Sequence, residues 1–148
     1  MRVKDLMTKT PFCCTEGDTI QHAASLMKQH DVGSVPIVNN CDERKLLGIV
    51  TDRDICIKAV AADKGTSSKV SEVMTNALHT CHVDDSVESC EALMERYQVR
   101  RVPVVDSHGI CVGIVSQADI ALRDSAEHSG HTVAAISKHT PHRKPAAA

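Results

Sequence analysis

The chain has 148 residues and a formal net charge of −2, long enough to bury one substantial core and without the broad basic field that attracts nucleic acid. One Tyr, one Phe and no Trp leave almost no platform for stacking single-stranded bases, and no apolar run approaches the ~18 residues a membrane span needs. Charge arrives at Arg2, Lys4 and Asp5 before any signal-like apolar core can form, so a cytoplasmic protein is expected.

Val3 to Thr8 is a short lead-in, punctuated by Pro11. Phe12-Cys13-Cys14 suits a brief strand, and Glu16-Gly17-Asp18 a turn. Asp18 followed by Gln21 resembles a helix N-cap arrangement, and Ile20, Ala23, Ala24 and Met27 then fall on one buried helical face. Val35-Pro36-Ile37-Val38 reads as a strand whose proline cannot donate to a ladder, so it borders a cleft or edge at that point. Beyond a loop from Asn39 to Arg44, Leu46 to Val50 is nearly all apolar and is expected to be buried on both faces. A helix is expected from Asp52 to about Ala62, and the polar stretch 63–69 reads as a linker.

The pattern then repeats. Residues 3–38 align on 70–105 at a constant offset of 67 without a gap, with 11 of 36 positions identical, among them Met7-Thr8 and Met74-Thr75, Asp18 and Asp85, and Val35-Pro36 and Val102-Pro103. Past the hairpin the offset falls to 65, pairing Gly48-Ile49-Val50-Thr51 with Gly113-Ile114-Val115-Ser116. In the second copy Asp85 is the expected cap with Glu88 beside it, Val87, Cys90, Met94 and Tyr97 form the inward stripe, Ile110 to Val115 is the apolar strand, and the last helix runs from Gln117 to about Glu127. The chain thus divides into repeat 1 (1–62), linker (63–69), repeat 2 (70–127) and a His-, Pro- and Ala-rich tail (128–148) expected to be flexible, with one helical turn near Val133 to Ile136.

Seven cysteines are an odd number, and all but Cys41 lie in or beside apolar segments, which argues against a disulfide framework. A bridge from Cys13 or Cys14 to Cys41 is within reach only if the first strand lies beside the hairpin. His79 and Cys81 point to one face of a strand and His82 to the other, so no metal site is expected from them or from the scattered tail histidines. There is no P-loop, no G-x-G-x-x-G and no nucleophile–base ordering, and so no catalytic residue to nominate.

Two copies of V-x-x-V-P-h-V, a hairpin and G-I-V-[TS]-x-x-D-I resemble the CBS domain, and the tandem arrangement resembles a CBS pair, or Bateman module. The resemblance implies an α/β fold of two β-α-β-β-α units packed about a pseudo-twofold axis, with the lead-in Val3 to Thr8 placed as a helical turn or strand crossing towards the partner repeat. It also implies adenosyl ligands in the clefts between them, homodimerisation and an unidentified protein partner. Thr51 with Asp54, and Ser116 with Asp119, would give a hydroxyl to phosphate and a carboxylate to ribose. The same Thr-x-x-Asp spacing also serves a helix cap with no ligand, and both readings stay open here. Arg53 stands at a position where relatives often carry a polar contact; Ala118 stands there in the second corner. Arg100 and Arg101, where repeat 1 has Gly33 and Ser34, would approach the phosphates, favouring AMP, ADP or ATP over S-adenosylmethionine with no obligatory cofactor. Thr10, Phe12, Val35, Ile37, Val102 and Val104 could wall an adenine pocket. The competing readings are a ligand-free dimeric scaffold and a metal- or redox-responsive protein.

Overall fold

The computed structural model describes residues 1–76, 78–123 and 133–137. It is a mixed α/β structure. In chain order α1 (Val3–Leu6), β1 (Thr8–Lys9), β2 (Cys14–Thr15), α2 (Ile20–His30), β3 (Ser34–Val38), β4 (Leu46–Thr51) and α3 (Asp52–Asp54) form the first copy, α3 continuing as wide π-helical turns over Ile55–Val60. A 3-10 turn at Val70–Glu72 leads into β5 (Cys81–His82), α4 (Val87–Tyr97), β6 (Arg101–Val105), β7 (Cys111–Ser116) and α5 (Gln117–Arg123). One sheet has the order β2-β3-β4 and the other β1-β7-β6-β5.

The second order shows that the lead-ins are exchanged. β1 leaves its own repeat and pairs antiparallel with β7, Thr8 opposite Ile114 and Lys9 opposite Gly113. The reciprocal contact is a bridge between Thr75 and Ile49. Further pairs obey the same twofold: Val3 N donates to Asp85 O and Val70 N to Asp18 O, both at 2.9 Å, while Arg2 bridges Ser86 and Lys69 bridges Thr19. Val3 and Leu6 are buried in the core of the second half, and Val70 and Val73 in the core of the first. Burying two such side chains contributes roughly 3–6 kcal/mol per lead-in, ample reason for a short segment to cross over.

Each crossing passes a glycine. A Cβ on Gly113 would overlap the Met7 thioether and stand 3.1 Å from Thr8 O; one on Gly48 would stand 3.1 Å from Met74 Sδ and 3.0 Å from Thr75 O. The glycine that opens each G-I-V strand and the repeated Met-Thr are two sides of one contact. At the other end of these strands the two hairpins meet, Cys111 N donating to Arg44 O at 2.9 Å and Leu46 N to Gly109 O at 3.1 Å.

Pro36 and Pro103 each sit one residue before the parallel partner strand begins, at Ile37 and Val104. Ile49, opposite Pro36, turns its own N–H and C=O to Thr75, so the proline nitrogen lies on the unpaired side and costs no ladder bond.

Several expectations need correction. The caps are Thr19 and Ser86, whose hydroxyls accept from His22 N and Ser89 N; Asp18 and Asp85 reach backwards instead, closing the preceding turns by accepting from Thr15 N and His82 N. The strand expected at Phe12-Cys13-Cys14 is β2, Cys14–Thr15, since Pro11 and Phe12 are spent on the crossing. Ala24 is exposed, leaving Ile20, Ala23 and Met27 as the buried residues of α2. Tyr97, at the last turn of α4, is exposed. The apolar strands are not buried on both faces throughout: Leu46 and Leu47 of β4 are half-buried, and β7 alternates buried with half-buried residues because the Ile114 side borders a cleft. Residues 133–137 are helical and Ile136 is fully buried in the second core, so that stretch is anchored and does not share the flexibility expected of the tail. The remainder of the tail, with His128, His131, His139 and His142, and the expected helical residues 124–127 lie outside the described residues.

Candidate functional site

The lead-in exchange creates the main cleft. The chain from β1 to Phe12, the end of α2 with the start of β3, Arg100 and Arg101, and the corner from β7 into α5 enclose about 690 Å³. That volume suits a nucleotide-sized ligand. Of the residues singled out from the sequence, Thr10, Phe12, Gly33, Arg100, Arg101, Ser116 and Asp119 line it together. Lys9, His30, Asp31, Val32 and Ile114 line it too, with no local signal to mark them, because they arrive from both repeats.

At the second corner Asp119 Oδ2 accepts from Ser116 N and Ser116 Oγ, both at 2.7 Å, while Ser116 Oγ accepts from Asp119 N at 3.2 Å. Asp119 is on the cleft wall. Thr10 faces it at φ 47°, a left-handed conformation unusual for a β-branched residue, held there by its N–H on Val112 O at 3.1 Å. Strain of this kind, in a residue on a cleft wall, marks a position fixed by its surroundings. Arg101 lies directly over the backbone of Gly33, where a side chain would collide with its guanidinium. Lys9, Arg100 and Arg101 against Asp31 and Asp119 leave the fixed charge of the wall positive by one.

Phe12 and His30 stack face to face at the cleft, centroids 3.4 Å apart and planes 9° off parallel. The other half repeats the device with the residue types changed, His79 on Tyr97 at 3.5 Å and 10°. Positions 12 and 79, like 30 and 97, are separated by the repeat offset, a signal present in the sequence but legible only once the repeats are superposed.

The first corner is built differently. Thr51 Oγ1 accepts from Asp54 N and Asp54 Oδ2 accepts from Thr51 N, both at 3.0 Å, closing a capping box. Lys58, one turn on, pairs with Asp54 Oδ1 at 3.0 Å and also donates to Val73 O at 3.3 Å. Both oxygens of Asp54 are therefore engaged, and Arg53 is exposed on the helix. None of Thr51, Arg53 and Asp54 lines the large cleft. Val35 and Val102 do not line it either, being fully buried in the two cores with Ile37 and Val104; the apolar wall comes from Val32 and Ile114.

One group of metal-binding character exists among the described residues: donor atoms of Cys14, Asp18 and His22 lie within 4.8 Å of one another. Burial pushes the Cys14 thiol up to about 12, with the Asp18 charge adding to it. The second copy builds the same turn from Cys81 and Asp85 with Ser89 in place of His22, so the turn itself requires no ion. In the second core Cys81 is lowered by a hydrogen bond from Cys90, whose own pKa is raised.

Among the described residues no helix is long and apolar enough to cross a membrane. Comparison with known proteins agrees with the doubled architecture. The family model described as "CBS domain" matches residues 3–60 and again 70–125. The CBS domain-containing protein YhcV of Bacillus subtilis is 40% identical over 141 residues, 95% of this chain and 98% of that one. A crystal structure of Hypoxic Response Protein I, a protein known from Mycobacterium tuberculosis, holds two coordinated zinc ions; it superposes with a TM-score of 0.75 at 35% identity, over 84% of this chain and 99% of that one. The CBS domain pair of protein MJ0100, solved with 5′-methylthioadenosine and S-adenosyl-L-methionine, superposes with a TM-score of 0.75 at 36% identity over 82% and 98%. Such pairs are in general regulatory, ligand-binding and non-catalytic. With the family matched in both copies, the lead-ins crossed and the halves related by a pseudo-twofold, the chain belongs to the CBS domain family as a tandem CBS pair.

Proposed function

We propose that the chain is a non-catalytic regulatory module that binds a phosphorylated adenosine, AMP, ADP or ATP, in the cleft of Ser116 and Asp119. The observation that carries this reading is the juxtaposition of the Asp119 carboxylate with three cationic side chains, Lys9, Arg100 and Arg101, in the wall of a space of about 690 Å³. Asp119 Oδ1 would accept from ribose hydroxyls, Ser116 and Thr10 would meet the phosphate, and the cations would neutralise it. The Phe12–His30 pair, with Val32 and Ile114, offers the base a flat apolar surface. Such a ligand alters the packing of the halves only by as much as it prefers one arrangement to another.

Calorimetric titration of the nucleotide-stripped protein tests the reading. Phosphorylated adenosines are expected to bind once per chain, more weakly as salt is raised, and more tightly than S-adenosylmethionine, whose sulfonium adds a cation to a positive wall. Tighter binding of methylthioadenosine than of AMP would remove the phosphate from the account. No binding by any of them would leave a ligand-free dimeric scaffold.

The module is further proposed to act as a homodimer in the cytoplasm, signalling to a protein partner. Ile57 and Val60 beside α3, and Leu122 on α5, are 48%, 69% and 84% exposed, and Ile57 and Leu122 are equivalent positions of the two copies. A shared apolar surface on equivalent helices suits a twofold contact. Light scattering is expected to give twice the chain mass, and Leu122→Asp to shift it to the monomer.

A further inference from the structure

Cys13 and Cys41 stand apart from the other cysteines. Their sulfurs lie 3.5 Å apart although 28 positions separate them in the chain. Cys14, Cys81, Cys90 and Cys111 are buried, and Cys56 is exposed and has no sulfur partner among the described residues. Cys41 is exposed in the β3–β4 loop, whose turn is pinned by Asn40 Oδ1 accepting from Asp42 N and Glu43 N. Cys13 follows Phe12 in the wall of the cleft. Arg44 spans the same place: Nη1 contacts Cys13 Sγ at 3.4 Å, Nη2 donates to Pro11 O at 2.7 Å, and Nε donates to Cys111 O at 3.3 Å. The second copy lacks the pair, with Thr80 at the position of Cys13 and no cysteine in its shorter hairpin tip.

From this geometry we infer that Cys13 and Cys41 are a modification site, a dithiol that a peroxide converts to an intramolecular disulfide joining the segment that follows the cleft residue Phe12 to the hairpin loop. The sulfurs need to close from 3.5 Å to about 2.05 Å, which side-chain rotation in an exposed loop supplies. Cys41, the more exposed thiol, attacks the peroxide as thiolate; the O–O bond breaks, giving a sulfenic acid and, after proton transfer, water. Cys13 then attacks that sulfur, the S–S bond forms, and the sulfenic oxygen leaves as a second water. Two thiols lose two electrons and hydrogen peroxide gains them. Burial pushes Cys13 up to about 11, with Cys41 adding to it and Arg44 opposing, which suits Cys13 to the resolving role. Formation of the bond does not depend on what the cleft holds, so failure of the nucleotide reading leaves this inference intact.

The test uses the full chain, reduced, freed of reductant and treated with one equivalent of hydrogen peroxide. Intact mass is expected to fall by two hydrogens, and non-reducing peptide mapping to join the segments containing Cys13 and Cys41. The apparent unfolding midpoint should rise by roughly 5 °C or more and return on reduction, as for a loop of this length. Cys41→Ser, a change in an exposed loop that leaves the fold intact, should abolish the linked peptide and the rise; Cys56→Ser should preserve both. Sulfinic acid at Cys41 with Cys13 still free, or a disulfide only between chains, would overturn the inference.

Discussion

Replacing Gly113 with valine is expected to destabilise the fold by roughly 3 kcal/mol, the upper part of the range for forcing extra carbons into a packed contact. Even a single Cβ there overlaps Met7 and approaches Thr8 O at 3.1 Å, and valine adds two methyl groups. For a chain of this size the loss corresponds to a fall of about 6–12 °C in the unfolding midpoint. Met7→Ala in the same chain should recover part of it, because the thioether can be removed whereas the Thr8 carbonyl cannot, and the coupling can be read from a double-mutant cycle. Gly48→Val should destabilise comparably through Met74 and Thr75. The two variants are expected to differ in ligand affinity: only the lead-in across Gly113 continues into Lys9, Thr10 and Phe12 on the cleft. A neutral Gly113→Val, judged by urea denaturation, would mean that β1 is not held by this contact.

Asp119→Ala is expected to weaken the proposed nucleotide by about 10–100-fold, the loss of one or two hydrogen bonds to a charged acceptor. It should also cost about 1 kcal/mol of stability, because Asp119 Oδ2 holds the Ser116 corner. Asp54→Ala supplies the contrast. Its carboxylate is held by Thr51 N and Lys58, so removing it is expected to cost about 1–2 kcal/mol of stability while leaving affinity unchanged. Calorimetry and thermal unfolding on both variants separate the two effects. An affinity loss confined to Asp54→Ala would transfer the ligand to the other corner.

Much of the architecture could be read from the chain because the repeat writes its own alignment: strand, helix, hairpin and the Thr- or Ser-x-x-Asp corner recur in register. The crossing of the lead-in was expected only from the family resemblance and was not legible in the residues themselves, since Met7-Thr8 and Gly113 are more than a hundred positions apart and nothing local says which glycine a crossing strand will meet. The helix caps were displaced by one residue because Asp18 and Thr19 are both good capping types, and only the backbone shows that the carboxylate reaches back to Thr15 while the hydroxyl reaches forward to His22. Tyr97 fitted the apolar stripe by spacing, yet it is exposed at the end of α4 and stacks on His79 of its own copy. Spacing alone does not separate the two corners, since Lys58 follows Asp54 by four and Arg123 follows Asp119 by four, a pairing distance on any helix. Seven of the residues nominated for a ligand converge on one cleft, and the valines among the rest do not, because a β-branched residue in a central strand serves the core before it serves a cavity.

The crossing of the lead-ins also bears on how a doubled chain of this kind can arise. Each half is completed by a segment that belongs, in sequence, to the other, so a single unit expressed alone would expose the seat of Val3 and Leu6, or of Val70 and Val73, to water. Two identical units could answer that by trading lead-ins across a true twofold axis, a swapped dimer made of one short chain used twice. Joining them end to end through a linker as brief as 63–69 makes the trade intramolecular and frees the copies to diverge. Phe12 on His30 in one copy and His79 on Tyr97 in the other are what such freedom permits.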